Sequence, residues 1–166
     1  MNPSKKNEIE ARVDHFLIEQ GFTVQGRDFE KPWGGYFVIP DNETEKFITV
    51  FFGAHATLFE HNLEKLSPKI LVVAPGHRLS WQYHDRRAEY HKVIEGPVAY
   101  PLSKTDTQPE QIIYQSGDLI EIPQGTRHRL VGLKTWGVVA EIWRHTDPNN
   151  PSNEADNHRV QDDYGR

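Results

Sequence analysis

Residues 76–96 read GHRLSWQYHDRRAEYHKVIEG, and the placement of polar side chains in this stretch decides how the rest of the chain is read. Gln82 and His84 stand two apart, so on a strand both side chains leave the same face. Glu89 follows a short turn and opens the returning strand, which sets a carboxylate opposite that pair. Further along, residues 117–128 read GDLIEIPQGTRH and end a second turn-rich hairpin on His128. Gln82, His84, Glu89 and His128 therefore lie on two hairpins that can converge inside a barrel. On spacing alone this set has two readings: ligands of one metal ion, or polar wall residues hydrogen-bonded to one another. One amide oxygen, two imidazoles and one carboxylate form a borderline-hard donor set that suits Zn, Fe, Mn or Ni. Three or four protein ligands with open positions fit a catalytic centre better than a closed structural one.

The surrounding sequence is of the same kind. From residue 31 to 145, β-type runs occur at 36–39, 47–52, 69–74, 79–83, 89–94, 98–102, 111–114, 119–122, 128–131 and 136–143. Turn chemistry such as Pro40-Asp41-Asn42, Pro75-Gly76 and Pro123-Gln124-Gly125-Thr126 separates them. Short strands at such close spacing indicate an all-β antiparallel sandwich or barrel, not a βαβ sheet. A helical period runs over 4–20, where Ile9, Val13, Phe16 and Leu17 share a face, Pro3 or Ser4 can open the helix and Gly21 can close it. That face suits either its own barrel or a second copy of the chain. The insertion at 55–66 reads as a short helical lid, with His55 and His61 at the surface. The expected organisation is a helical arm over 1–30 and a β domain over 31–166, with the barrel at about 31–145 and a C-terminal tail over 146–166.

Composition narrows the function. A length of 166 residues and a mass of 19.2 kDa suit one domain. Mean hydropathy is −0.71, yet 4 Trp, 6 Tyr and 8 Phe supply area for a core. Apolar runs such as 70–74 are far shorter than a bilayer span, and no apolar stretch follows the first lysines. Membrane and export are not expected, and the expected location is cytoplasmic. A net charge of −5 argues against a nucleic-acid partner. The absence of cysteine excludes disulfides, thiolate metal sites and a cysteine nucleophile.

The two hairpins resemble the paired motifs of the cupin superfamily, a β-barrel or jelly-roll fold. Gly76, His84, Glu89 and Gly96 stand at the spacing of G-x5-H-x-H-x4-E-x6-G, with Gln82 in place of the first histidine. Gly117, Pro123, Gly125 and His128 match G-x5-P-x-G-x2-H. A narrower resemblance, covering most of the chain after residue 31, is to the cupin domain of type II mannose-6-phosphate isomerase. Lys31-Pro32-Trp33-Gly34-Gly35-Tyr36 is similar to that family's Arg-Pro-Trp-Gly-Ser-Tyr, and residues 75–89 are similar to its Pro-Gly-Gln-x-Leu-Ser-Leu-Gln-x-His-His-His-Arg-Ala-Glu run. Gln82 is the family's own choice at that position, and Asp162-Asp163-Tyr164-Gly165-Arg166 matches its Asp-x-Tyr-Gly-Arg terminus. Tyr90 and His91 depart from the family's His-Trp, and Asp85 and Arg86 replace two of its histidines. In two-domain relatives this cupin follows a guanylyltransferase domain, so nucleotide-sugar synthesis is not expected of this chain.

The resemblance implies a divalent metal, zinc first, on Gln82, His84, Glu89 and His128. It implies conversion of mannose 6-phosphate to fructose 6-phosphate through an enediol, and a homodimer. Arg87, at the family's motif arginine, and His91, which by parity shares the inner face with Glu89, are the candidate catalytic residues. Arg78 and Ser80 share parity with Gln82, Lys69 starts the preceding strand and Arg166 ends the matched terminus; these four are the candidate contacts to a sugar phosphate. Tyr90 points the other way, Glu121 and Glu141 are of open facing, and Arg86, Arg127 and Arg129 are expected at the surface. Two alternatives stand beside the isomerase: a non-catalytic metallocupin that binds a sugar or small acid, and a different metal-cupin enzyme such as an iron dioxygenase.

Overall fold

The computed structural model describes residues 3–59 and 65–165. Helix α1 (Pro3–Glu19) is followed by strands β1 (Gly26–Asp28) and β2 (Gly34–Val38), helix α2 (Thr44–Phe52) and β3 (Lys69–Val73). Next come β4 (Trp81–Tyr83), β5 (Arg87–Glu95), β6 (Val98–Tyr100), β7 (Leu102–Ser103) and β8 (Ile112–Tyr114). The chain ends with β9 (Leu119–Ile122), β10 (Arg127–His128), β11 (Val131–Gly132), β12 (Gly137–His145) and β13 (His158–Gln161). A six-stranded antiparallel sheet has the order β1-β2-β3-β12-β5-β9. It faces a four-stranded sheet, β13-β4-β10-β7, and a three-stranded sheet, β11-β6-β8. The three sheets wrap as a jelly roll without closing into one continuous hydrogen-bonded barrel.

Alternation along the central strands sets the layers. Leu71 and Val73 of β3, Val93 of β5 and Val139 of β12 point inward and meet Val98, Tyr100, Ile120, Ile122 and Leu130 between the sheets. Ile70, Val72, Val138, Ala140 and Ile142 point outward, where Ile9, Val13 and Leu17 of α1 and Phe47 and Phe52 of α2 cover them. Both central strands are therefore buried on two faces, the pattern of a sheet covered by helices. The apolar stripe of α1 packs on its own domain. Gly34 has φ +146°, and a Cβ there would lie 1.9 Å from the Val72 carbonyl oxygen, so the Trp-Gly-Gly motif allows β2 to lie close against β3.

The run at 47–52 is helical, not the strand its β-branched and aromatic composition suggests. Phe47, Ile48, Phe51 and Phe52 are buried while Thr49 and Val50 are exposed, a helical period that outweighs β propensity once one face can cover the sheet. The insertion continues as 3-10 turns over Gly53–Phe59, with Phe59 packed edge-on against Phe52 and Tyr90. His55 is half-buried there, and His61 lies outside the described residues. No helix among the described residues is long and apolar enough to cross a membrane.

β1 and β13 are additions to the strands expected. The tail returns to pair its β13 with β4, and the loop before it is tied to the turn after His84 by Asp156. The Asp156 carboxylate accepts hydrogen bonds from the backbone N–H groups of Asp85 and Arg86, each at 3.0 Å, and from the Ser152 hydroxyl at 2.7 Å. Burial alone would raise its pKa, but these donors and the nearby Arg87 charge outweigh burial and hold it below the usual carboxylate value.

Two expectations follow. Phe52→Ala should cost about 3–5 kcal/mol in chemical denaturation by opening a cavity between α2 and the sheet. Asp156 has a depressed folded pKa, so its stabilisation is present above the unfolded value near ~4 and is lost as pH falls through the folded value. Asp156→Asn should therefore lower stability by about 1–3 kcal/mol at neutral pH. It should also flatten the loss of stability below about pH 4 in acid titrations followed by circular dichroism.

Candidate functional site

The site is built on the inner face of the two facing sheets. His84 follows β4, Glu89 is the inward residue near the start of β5, and His128 lies on β10, where it pairs across from Gln82. His84, Glu89 and His128 are each 2% exposed, and one donor atom from each lies within 4.8 Å of the others. The His84 Nδ1–H donates to the Asp156 carbonyl oxygen at 2.7 Å, and the His128 Nδ1–H donates to that of Thr126 at 2.9 Å. A carbonyl can only accept, so each ring turns Nε2 toward Glu89, and Arg87 Nη2 lies 3.2 Å from the His84 Nε2.

Both Nε2 atoms face a carboxylate. His84 Nε2 lies 3.1 Å from Glu89 Oε1, and His128 Nε2 lies 3.2 Å from Glu89 Oε2. Among the described residues the buried His128 Nε2 has no hydrogen-bond partner. A cation, proton or metal, is what such converging groups require, and the three residues fit a divalent metal ion. Gln82 sits beside them, its Oε1 accepting a hydrogen bond from the Ser80 hydroxyl at 2.5 Å. Burial alone would raise the Glu89 carboxyl pKa, but the surrounding His84, His128 and His91 hold it well below the usual range.

Arg87 is buried and tied in place. Its Nε donates to Glu89 Oε1 at 2.8 Å, its Nη1 donates to Ser152 Oγ at 2.9 Å, and its guanidinium stacks 3.7 Å over the Trp143 ring. His91 also faces inward with Glu89, as parity requires, but sits behind the carboxylates. Its Nε2 lies 3.2 Å from an oxygen of both Glu89 and Glu141, and its Nδ1 is 2.9 Å from the Tyr100 hydroxyl. Burial opposes the charged form of His91, yet the bonds to Glu141 and Glu89 prevail and lift its pKa to about 9. Tyr90 points outward against Phe59.

Beside this cluster lies a cavity of about 150 Å³, lined by Ser80, Gln82, Arg87, Glu89, Glu141 and Trp143 and, toward its mouth, by Lys69, Glu154 and Arg159. At liquid density that volume holds roughly five waters. Glu141 turns inward on β12, whereas Glu121 on β9 is exposed. The Glu141 Oε1 accepts the Trp143 indole N–H at 3.1 Å. Burial and the nearby Glu89 charge would raise its pKa, but His91 and Lys69 prevail and leave it lowered, so it is ionised at neutral pH.

The structure thus brings together Gln82, His84, Glu89, His128, Arg87, Ser80 and Lys69. It does not bring Arg78 to them: that side chain pairs with Asp163 and lines a separate groove with Tyr164. Arg78 precedes β4, where the chain joins Val131 by an isolated bridge, and strand parity does not reach that far. His91 does not line the cavity, since Glu89 and Glu141 stand in front of it. Arg166 lies outside the described residues. Arg129 is buried, not at the surface: its Nε donates to the Leu79 carbonyl at 2.8 Å and its Nη2 reaches Asp163 at 3.4 Å. Arg86 is half-buried, tied to Asn150 and the Pro151 carbonyl, and Arg127 stacks over Tyr83. Sequence reading passed over Asp156, Glu154 and Arg159, whose loop and terminal strand carry no apolar alternation. Trp143 was also passed over: its parity with Glu141 was a usable signal, but the facing of Glu141 itself was open.

No protein-family model and no curated protein sequence matches the chain. Its shape does have counterparts. The capsular polysaccharide assembling protein CapF from Staphylococcus aureus aligns at a TM-score of 0.51 and 18% identity, over 83% of this chain and 34% of CapF. A second CapF structure gives 0.51 and 17%, over 83% of this chain and 32% of that one. This chain spans about a third of the length of those relatives. A putative sugar phosphate isomerase from Acidithiobacillus ferrooxidans aligns at 0.42 and 16%, over 49% of this chain and 51% of that one. The strand order, the facing sheets and the shape shared with CapF make this chain an all-β jelly roll of the cupin type.

Proposed function

We propose that the protein is a metal-dependent aldose–ketose isomerase of sugar phosphates, with mannose 6-phosphate to fructose 6-phosphate as its reaction. The observation that carries this reading is one cavity that joins the His84–Glu89–His128 cluster, an ionised carboxylate on Glu141 and several cations. The capsular-polysaccharide role in CapF's name also suits a carbohydrate ligand. Gln82, His84, Glu89 and His128 would hold the metal, zinc first on the sequence resemblance and Mn, Fe or Ni on the same donor set. Once bound, it supplies a Lewis acid for the substrate's C1 and C2 oxygens.

The chain's own groups do the rest. Glu141, ionised and at the cavity wall, accepts the proton from C2 as O1 gains a proton to give the enediol, then returns it to C1 as O2 gives up its proton, with no net oxidation. His91 is a positioning residue: charged, it bridges Glu141 and Glu89 from behind and keeps both carboxylates aimed inward. Arg87 orients Glu89 and closes one wall against Trp143. Ser80 holds the Gln82 amide in place.

Elemental analysis of the purified protein should find about one transition-metal ion per chain. Glu89→Gln and His128→Ala should lose it while keeping the fold by circular dichroism. Mannose 6-phosphate incubated in D2O with the zinc-loaded protein should yield fructose 6-phosphate, or deuterium at C2, by NMR. His128→Ala should abolish this signal, and Glu141→Gln should slow it by about 10²–10⁴-fold with metal retained. Metal-loaded protein that gives neither product nor exchange would exclude the reaction and favour the metallocupin that binds without turnover. Oxygen consumption with bound iron would favour the dioxygenase.

A further inference from the structure

The cations around the cavity differ in how firmly they are already engaged. Arg87 is committed to Glu89 and Ser152. Lys31 is bonded to Asp28 at 2.9 Å. Lys69 is buried, its ammonium 4.3 Å from the Trp143 ring, and its partner is the carboxylate of Glu154. That partner is an unusual one for a buried ammonium. Glu154 reaches in from the loop before β13 with its side chain 74% exposed, and among the described residues its carboxylate has no other hydrogen-bond or ion-pair partner. Arg159 lies on β13 across from Gln82, lines the same cavity and is exposed. Among the described residues its guanidinium has no hydrogen bond or ion pair.

A buried lysine neutralised by an exposed loop carboxylate, beside a guanidinium with no counterion, is an anion site partly filled by the protein itself. We propose that Lys69 and Arg159 bind the phosphomonoester group of the ligand, and that Glu154 occupies Lys69 until that group displaces it. The proposal deepens the sugar-phosphate reading above and rests on it for the ligand class. A phosphate dianion exchanges one lysine–carboxylate pair for contacts with both cations, and an arginine can meet it in a bidentate fork. The displaced Glu154 returns to water at small cost because it is already exposed. A neutral sugar gains neither contact and leaves Glu154 in place. The same pair of cations would then separate phosphorylated from free sugars.

The test is a set of binding titrations that need no turnover. Inorganic phosphate, mannose 6-phosphate and mannose are titrated into the purified protein, Glu154→Gln and Arg159→Ala, and followed by tryptophan fluorescence, since two of the four tryptophans, Trp33 and Trp143, line the cavity. Both substitutions fall on exposed side chains, and circular dichroism verifies that the variants fold. Glu154→Gln should tighten phosphate and mannose 6-phosphate by about five- to tenfold, and Arg159→Ala should weaken both by about tenfold. Mannose should respond to neither. Unchanged or weaker phosphate binding in Glu154→Gln overturns the proposal. So does an Arg159→Ala loss equal for mannose and its phosphate, or the absence of phosphate binding to any of the proteins. These affinities in place without deuterium exchange would remove the isomerase reading and leave the anion site standing. Exchange without the affinity changes would do the reverse.

Discussion

A carboxylate sealed from water is tolerable only when cations or donors surround it, and Glu89 imposes that demand on the whole interior. Arg87 answers it on one oxygen and His91 on the other, and His84 and His128 bring Nε2 to 3.1 and 3.2 Å of the same two oxygens, where a shared cation would complete the compensation. Each of those groups needs a partner of its own. The tail supplies Ser152 and the Asp156 carbonyl, β6 supplies Tyr100 and β12 supplies Glu141. Register does the positioning, since β12 pairs Trp143 with Glu89 and Glu141 with His91. The polar centre is thus one connected network, and an apolar substitution at any node leaves a neighbour's charge uncompensated.

The rest of the fold shields this network. Two helices cover the outer face of the large sheet, so its central strands carry apolar side chains on both sides and leave the inner face for chemistry over a short stretch of β5 and β12. The aromatic residues that made a core plausible from composition are concentrated in that outer layer, where Phe22, Phe47, Phe51 and Phe52 stack.

Period-two parity on β4 and β5 made Gln82, Glu89, His91 and the outward Tyr90 legible before any coordinates, because those residues sit within or directly beside regular strand. The same rule misplaced Arg78, which lies beyond the strand's start, and it could not order His91 behind Glu141, because depth from the cavity is a property of two strands together. Phe47–Phe52 composition favours a strand, while the burial of its residues follows a helix; tertiary cover decided between them. Glu154, Asp156 and Arg159 were hidden for a simpler reason. Their segment is polar throughout, and it is held by backbone pairing and by hydrogen bonds to a turn some seventy residues earlier in the chain.

That last feature has a thermodynamic consequence. The ring of His84 is oriented by the Asp156 carbonyl, and the turn beside it is capped by the Asp156 carboxylate. Docking of the tail and occupancy of the centre are therefore linked equilibria with one shared coupling free energy, and reciprocity makes each strengthen the other by the same factor. A cation held there would favour the docked tail, and loss of the tail would free the His84 ring while leaving His128 oriented by Thr126.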